Sequence, residues 1–413
     1  MITYEKYTLK NGLRVILHQD KTTPIVAINT IFDVGARDEQ PDKTGFAHLF
    51  EHLMFGGSKH IDNYDTPLQK AGGESNAFTN NDITNYYDTL PLENLETALW
   101  LESDRLLELA FTDKSLEVQR NVVIEEFKQR YLNQPYGDVW LEFRPLIFKT
   151  HPYQWATIGK NIDHVAQATI ADVKSFFFKY YSPQNAVLTI GGNIDFKTTR
   201  ALIEKWYENI PAREKYIRNI QPEPQQIEYR TKTIERQVTS DAIYIAFRTG
   251  NRKTSDHYMG DLISDILSGG KSSRLYQRLV KQNQVFTNIQ AFISSGWEHG
   301  LFIVSGHLAH GVDLEFAELA LFDELELLKT ELLDEAELQK VKNKLETVKA
   351  FQDQSVLNRV MNIAQFELLG LLEEINEESD KYQKITSIQL QAYAKQIFLK
   401  TNASVLKIKA TNE

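Results

Sequence analysis

A charged segment with three prolines lies near the middle of the chain and separates two stretches of similar pattern. The prolines fall within residues 210–231, a composition typical of a connection between domains. The chain has 413 residues, whereas single hydrophobic cores rarely grow past about 250–300 residues. We therefore predict an N-terminal domain over 1–215, a linker over 216–231 and a C-terminal domain over 232–413.

The same order of elements recurs on both sides of this segment. Residues 25–32 are strand-like and are followed by a turn and a helical pattern at 44–55, with Thr44 as its N-cap. Beyond the linker, a strand pattern at 241–248 is followed by a turn and a helical pattern at 256–267. The order predicts an α+β fold of two similar halves, each an antiparallel sheet packed with helices, related by internal duplication. Two unrelated α+β domains would give nearly the same pattern.

Local signals predict further elements. Asn11-Gly12, between runs of alternating apolar residues, predicts a β-hairpin. Residues 74–90 are polar, β-branched and aromatic, which favours strands. Helical patterns extend over about 113–131 and, in the C-terminal half, over about 334–369.

The composition excludes several kinds of site. The chain has no cysteine, so a metal would have to bind His, Asp or Glu. Its formal net charge is −10, which argues against a nucleic-acid partner. No run of about 18 apolar residues predicts a membrane span, and the first residues lack the pattern of a signal peptide. We expect a cytoplasmic protein, or a periplasmic one if an upstream segment has been removed.

The clearest chemical motif is GFAHLFEHLMFGG. His48 and His52 are four residues apart, so on a helix both imidazoles lie on one face and can reach one ion. Glu51 lies beside them, where a general base could take a proton from a water that the ion activates. This H-x-x-E-H order is the inverse of the commoner zinc-helix spacing. Two histidines at this spacing also occur on ordinary helices, but three polar residues in so apolar a helix are costly to bury without a partner.

A zinc site needs a third protein ligand, and Glu126 is the best candidate. It follows Val122 by four residues and Val123 by three, so we predict that it shares their buried face. Glu125 points about 100° away and is expected in solvent. His60 is close in the chain but lies past the glycines that end the motif helix. An equally open alternative is that Glu126 lies at the edge of its helix and pairs with an arginine instead of a metal.

Seven stretches of the chain follow one another in an order and spacing that are together highly specific. They are NGLRVIL, VGARDE, GFAHLFEHLMFGGS, SNAFTNNDITNYY, VQRNVVIEEF, HPY with the later Gly159, and YYSPQNAVLTIGGNI. In these stretches the sequence resembles the pitrilysin family of zinc peptidases, in particular its short branch, which includes the mitochondrial processing peptidase subunits. The resemblance covers residues 8 to about 195 and continues more faintly to about 370.

The resemblance implies one zinc ion per chain and a role for each matching residue. His48 and His52 match the family's two histidine ligands. Glu51 matches its catalytic glutamate, and Glu126 matches its distal glutamate ligand.

The resemblance also implies substrate contacts, and here the chain departs from the family. Asn76 and Ala77 match an edge strand beside the zinc that pairs with the substrate backbone. A second glutamate that supports the site is replaced by Gln119, whose amide can hydrogen-bond the ligands but adds no charge. An arginine and a tyrosine that hold substrate from the C-terminal half align with Val280 and Thr287. Neither can donate to a scissile carbonyl as those residues would.

Together these patterns predict a zinc-dependent metalloendopeptidase that hydrolyses peptides or unfolded polypeptides, with Glu51 as general base. Because the substrate clamp is missing, we expect a homologous second subunit in a hetero-oligomer. A homodimer or monomer in which Arg274 or Arg278 substitutes is the simpler alternative. A non-catalytic scaffold or peptide-binding subunit is the alternative of a different class. A metal-dependent hydrolase of non-peptide substrates also fits the motif.

Overall fold

The computed structural model describes residues 1–411, which form two compact units. The first unit comprises Met1–Leu132, His151–Gln221 and Ala350–Asn376. The second comprises Asn133–Thr150, Pro222–Lys349 and the residues from Glu377 onward.

Helices and strands are numbered here in chain order through both units. The helices are α1 Phe46–Leu53, α2 Asp65–Lys70, α3 Leu95–Leu107, α4 Asp113–Phe127, α5 Val139–Ile147, α6 Ile162–Ala166, α7 Ile170–Tyr180, α8 Phe196–Tyr207, α9 Ser255–Ser268, α10 Leu314–Thr330, α11 Glu335–Gln352, α12 Val356–Leu369, α13 Glu378–Gln383 and α14 Ser387–Ile397. The strands are β1 Glu5–Thr8, β2 Arg14–Gln19, β3 Ile25–Phe32, β4 Glu74–Thr79, β5 Thr84–Pro91, β6 Ala186–Gly192, β7 Arg230–Arg236, β8 Ala242–Thr249, β9 Phe286–Ser295, β10 Gly300–Leu308 and β11 Ala403–Ala410.

The first unit is built on a six-stranded sheet in the order β1-β2-β6-β3-β5-β4. Its neighbouring strands are antiparallel except for β2 and β6, which are parallel. The predicted hairpin at Asn11-Gly12 is confirmed by the pairing of β1 with β2, and Gly12 adopts a φ of 90° in the turn. Strand β4 lies at one edge of this sheet, with only β5 beside it.

The second unit repeats this arrangement with five strands in the order β7-β11-β8-β10-β9. Strands β7 and β11 are parallel, and the other neighbours are antiparallel. Without β1, the first sheet has the same order and the same strand directions, which confirms the prediction of two similar α+β halves. Each sheet is mixed rather than purely antiparallel. The parallel pair forms because a long crossover joins its two strands, as parallel neighbours require.

Each sheet is also covered by one helix from the other half of the chain. Helix α12 packs on β3 and β6 of the first sheet. A Cβ atom on Gly191 of β6 would lie 2.4 Å from Cγ2 of Val360, so the strand glycine permits this close approach. Helix α5 packs on β7 and β11 of the second sheet. The predicted domains 1–215 and 232–413 are continuous ranges. In the structure, α5 belongs to the second unit and α12 to the first, so the two helices are exchanged relative to this prediction.

The prediction of one helix over 334–369 is wrong, because two helices, α11 and α12, occupy this stretch. The side chain of Ser355 accepts a hydrogen bond from the Asn358 N–H at 3.3 Å. This N-cap starts α12 and separates it from α11.

Residues 211–227 form neither helix nor strand, yet both ends of this stretch are anchored. In the first unit, Arg218 donates from Nε to Asp38 Oδ1 at 2.8 Å and from Nη2 to Asp33 Oδ1 at 2.9 Å. In the second unit, the buried amide of Gln226 donates to the Ala403 carbonyl at 2.9 Å. The predicted linker over 216–231 is therefore fastened to a unit at each end.

None of the helices within residues 1–411 combines the length and the apolar character that crossing a bilayer requires.

Candidate metal centre

Helix α1, which carries the H-x-x-E-H motif, begins at an unusual cap. Its N-cap residue is Gly45, with a left-handed φ of 88°, and not the predicted Thr44. The side chain of Glu39 accepts hydrogen bonds from the N–H groups of Gly45 at 3.0 Å and Ala47 at 2.8 Å. Burial raises the pKa of Glu39 well above its usual value. A distant buried carboxylate therefore satisfies the first N–H groups of the motif helix, the task that a local cap usually performs.

A second loop fixes the start of the same helix. Gly159 has a φ of 99°, and a Cβ atom there would lie 3.0 Å from the Thr44 carbonyl oxygen. At Gly45, a Cβ atom would lie 2.7 Å from the carbonyl oxygen of Ile158. Only glycine at these two positions lets the loop and the helix start lie so close together.

The side chains of His48, His52 and Glu126 converge in the first unit. Oε2 of Glu126 lies 3.6 Å from Nε2 of His48 and 3.4 Å from Nε2 of His52. One ligand atom from each of the three residues lies within 4.8 Å of the others. Helix α1 supplies the two imidazoles and α4 supplies the carboxylate. The three side chains therefore lie close together, as the sequence predicted.

The geometry of this cluster fits a zinc ion. Two ligands of a tetrahedral zinc lie roughly 3.3 Å apart when each is about 2.0–2.1 Å from the ion. The Oε2–Nε2 distances of 3.6 and 3.4 Å are close to that separation. Burial lowers the pKa of His48 to about 4, so its imidazole is neutral near pH 7, the form that binds metal. The hydrogen bond from His52 lowers the pKa of Glu126, which keeps that carboxylate ionised.

A cavity of about 460 Å³ surrounds the cluster. Its lining includes Glu51 and the three converging residues, together with residues 76–79 of β4, Arg130, Tyr131, Thr157 and Ile158. Burial raises the pKa of Glu51, which makes this carboxylate a stronger base than an exposed glutamate. The cavity thus combines a possible metal position, a basic carboxylate and an exposed sheet edge.

The cavity side of β4 has an unpaired edge. Asn76 and Ala77 face Tyr87 and Tyr86 of β5 across the sheet. On the strand itself, the side-chain oxygen of Asn76 accepts a hydrogen bond from the Ala77 N–H at 2.8 Å. A peptide strand that added to this edge would replace that local bond with a backbone bond.

Other candidates from the sequence lie away from the cluster. Glu125 is 63% exposed and pairs with Lys128 at 2.7 Å, as expected for a solvated residue. His60 pairs with Asp104 instead of joining the cluster. Gln119 does not line the cavity and lies beside the loop that ends α1, where a Cβ atom on Gly56 would be 3.6 Å from its amide nitrogen.

The predicted apolar face beside Glu126 is only half correct. Val123 is fully buried, whereas Val122 is 43% exposed. Burial of Val122 was therefore a wrong expectation, because α4 turns Val123, together with Leu116 and Phe127, toward the core and leaves Val122 in solvent.

In the second unit, the positions of the expected clamp are filled by residues with local roles. Val280 packs against the hydrophobic core, and Thr287 donates to the His307 carbonyl at 3.1 Å. The nearby arginines are engaged by glutamates. Arg274 pairs with Glu337 at 2.7 Å, and Arg278 pairs with Glu324 at 3.0 Å.

Two further residues, Glu39 and Arg130, shape this site and were not predicted from the sequence. Glu39 belongs to the VGARDE stretch, whose position just before the motif helix was the available signal. Arg130 donates from Nη1 to Oε1 of Glu126 at 2.8 Å. The helical i, i+4 spacing of Arg130 and Glu126 could have shown this contact.

We expect Glu39→Ala to lower the affinity for zinc by about 10–100-fold, the usual effect of losing a residue that orients metal ligands. Without the carboxylate, the first turn of α1 loses its partners, and His48 lies in that turn. The measurement is zinc competition against a fluorescent chelator. Asp195→Ala is the matched control, because Asp195 caps α8 with a bond from the Thr198 N–H at 2.9 Å. Equal zinc affinity in both variants would contradict a positioning role for Glu39.

The chain is similar to known proteins in both sequence and fold. A family model described as Insulinase (Peptidase family M16) matches residues 14–143, and one described as Peptidase M16 inactive domain matches residues 167–345. The zinc protease PqqE of Helicobacter pylori is 31% identical over 295 residues, which span 70% of this chain and 66% of that protein. The uncharacterized zinc protease YmxG of Bacillus subtilis is 26% identical over 306 residues, 73% of each chain. The crystal structure of a protease from Helicobacter pylori superposes with a TM-score of 0.94 at 26% identity, covering 99% of this chain and 100% of that one.

The fold and the matching family models place the chain among the peptidase families. Two models of one family together match more than half of its length. The chain belongs to peptidase family M16, the pitrilysin type. All four residues of the candidate site, His48, Glu51, His52 and Glu126, lie within the part matched by the first model and outside the part matched by the inactive-domain model.

Proposed function

We propose that the chain is a zinc-dependent metalloendopeptidase that hydrolyses peptides or unfolded polypeptides. One observation carries this proposal: three metal-ligand atoms converge in the same cavity as the half-buried carboxylate of Glu51 and the open edge of a strand. The relatives support it, since their names describe zinc proteases. The membership in a short branch with the mitochondrial processing peptidase subunits and the cytoplasmic location stay predictions.

In this proposal each side chain has a separate task. His48, His52 and Glu126 would hold one zinc ion, which would supply Lewis acidity to the site. Glu51 accepts the proton of the attacking water and returns it to the leaving amine. Burial raises the pKa of Glu51, so its carboxylate accepts a proton more readily than an exposed glutamate would.

The substrate is held as an added strand in the same proposal. Asn76 and Ala77 lie on the unpaired edge of β4 and line the cavity. An extended peptide can add to such an edge through main-chain hydrogen bonds, whatever its sequence. This mode favours unfolded polypeptides, because a folded protein does not offer a free extended strand.

We also propose that a homologous second subunit completes the substrate clamp. Val280 and Thr287 cannot take the place of an arginine and a tyrosine, and the nearby Arg274 and Arg278 are each paired with a glutamate of their own unit. A donor aimed at the oxyanion is worth roughly 10²–10³ in rate. A partner chain that carries both residues would restore this contribution.

The proposal is tested by cleavage of an unfolded polypeptide with the purified chain, alone and with a homologous chain that holds arginine and tyrosine at the corresponding positions. We expect chelator-sensitive cleavage that zinc restores, and an increase of about 10²-fold or more when the partner is added. Full activity of the isolated chain, unchanged by the partner, would remove the need for a second subunit. Absence of both zinc and cleavage in either sample would favour the scaffold alternative.

A further inference from the structure

The strongest unassigned feature of the cavity is Arg130. It lies four residues after Glu126, in a π-helical turn over Lys128–Leu132 that continues α4. Its Nη1 donates to Glu126 Oε1 at 2.8 Å, while Oε2 of the same carboxylate faces the two imidazoles. The two oxygens of Glu126 therefore have different partners, and Arg130 leaves Oε2 free for a metal.

Arg130 also contributes charge to the cavity. Its side chain is 70% exposed, so most of its five N–H donors are open to a ligand. Among the described residues that line the cavity, it is the only one with a permanent positive charge. The two lining carboxylates, Glu51 and Glu126, carry two negative charges, so a divalent ion together with Arg130 leaves the cavity with a net positive charge of one.

Arg130 lines the same cavity as the edge strand β4. The lining also contains Tyr131, Ile158 and Phe78, none of which is charged. A peptide added to β4 alternates its side chains between the two faces of the sheet, so every second residue near the scissile bond can face the cavity that Arg130 lines. A planar guanidinium binds a carboxylate through two parallel hydrogen bonds, which a neutral or cationic side chain cannot form.

We propose that Arg130 selects peptides with an aspartate or glutamate within two residues of the scissile bond. This inference rests on the proposed peptidase function, because it concerns the same cavity. Arg130 binds the substrate carboxylate through its open N–H groups while it continues to hold Glu126. The permanent charge of Arg130 makes the preference independent of pH over the range in which acidic side chains are ionised.

The test uses quenched fluorescent peptides that are identical except for Glu, Gln or Lys at each position flanking the cleavage site. We expect kcat/KM of the wild-type protein to be about tenfold or more higher for the Glu peptide than for the Lys peptide at one of these positions. Arg130→Gln should remove this difference, Arg130→Lys should keep part of it, and Arg130→Glu should invert it. Lys128→Glu is the matched control, since Lys128 lies in the same turn but does not line the cavity, and it should keep the wild-type preference.

A binding measurement separates this inference from the proposed hydrolysis. Fluorescence anisotropy of the same peptides with the Glu51→Gln protein, at zinc concentrations that load every variant, reports selection without turnover. We expect the Glu-over-Lys ratio of affinities to fall as salt rises from about 10 mM to about 1 M, because the screening length shrinks from roughly 30 Å to 3 Å.

Each outcome has a distinct meaning. Hydrolysis of all peptides without a charge preference, or a preference that survives Arg130→Gln, overturns the role of Arg130 and leaves the peptidase proposal standing. Charge-selective binding that depends on Arg130, with no hydrolysis of any peptide even when the partner chain is present, supports recognition of acidic peptides by Arg130 and overturns the peptidase proposal. Neither binding nor hydrolysis overturns both.

Discussion

Glu51→Gln should abolish hydrolysis and leave zinc bound. General acid–base catalysis by one side chain contributes about 10²–10⁴-fold in rate, so we expect kcat to fall by that factor. The amide of glutamine is nearly isosteric with the carboxylate but cannot accept a proton from water. Glu51 lines the cavity without belonging to the cluster of metal-ligand atoms, so zinc content should stay at the wild-type value.

The comparison needs turnover and metal content from the same preparations. Steady-state cleavage of a quenched peptide gives kcat, and atomic spectroscopy gives zinc per chain. Glu125→Gln serves as the control, because it makes the same chemical change on an exposed residue of α4 that pairs only with Lys128. A Glu51→Gln protein that keeps more than about 1% of the wild-type turnover is inconsistent with the role of Glu51 as the general base.

The motif helix could be predicted from the sequence because its pattern depends only on the spacing of neighbouring residues. A separation of four residues places His48 and His52 on one face of any helix, whatever surrounds it. The role of Glu126 was harder to predict, because glutamate is common both at the exposed edge of a helix and as a metal ligand. The two alternatives for Glu126 are compatible in the structure, because Oε1 pairs with Arg130 and Oε2 faces the imidazoles.

The features that the sequence did not predict depend on distant partners. Amphipathic periodicity tells which face of α5 or α12 is buried, but not which sheet lies against that face. The exchange of these two helices between the units therefore left no local signal. The cap of α1 is similar, because Glu39 satisfies Gly45 and Ala47 from outside the helix, whereas sequence rules for caps consider only neighbouring residues such as Thr44.

The duplication was predictable in outline and not in detail. The order strand, turn and helix recurs in both halves of the chain, and this recurrence is visible without a structure. The parallel pairs β2–β6 and β7–β11 were not visible, because strand direction depends on where a long crossover returns to the sheet.

The second large expected effect is the loss of zinc affinity when a metal ligand is removed. This effect distinguishes the adjacent residues Glu125 and Glu126. Structural zinc sites bind with about 10–16 kcal/mol over four ligands, so one ligand accounts for roughly 3 kcal/mol, or on the order of 10²-fold in affinity. We therefore expect His52→Ala and Glu126→Ala to lower zinc affinity by at least about 100-fold. Glu125→Ala should leave zinc affinity unchanged, because Glu125 is 63% exposed and points away from the imidazoles.

The measurement is competition with a chelator of known affinity, together with metal analysis after gel filtration. Folding of each variant is checked by circular dichroism, so that a lost ion is not confused with a lost fold. The adjacent pair makes the test sharp, since Glu125 and Glu126 lie in the same turn of α4 and differ mainly in direction. If both alanine variants lose zinc equally, α4 does not present Glu126 to the ion, and the close approach of Oε2 to His48 and His52 only reflects ion pairing with the imidazoles. If only Glu126→Ala loses zinc, the direction of one side chain on α4 determines which glutamate completes the metal site.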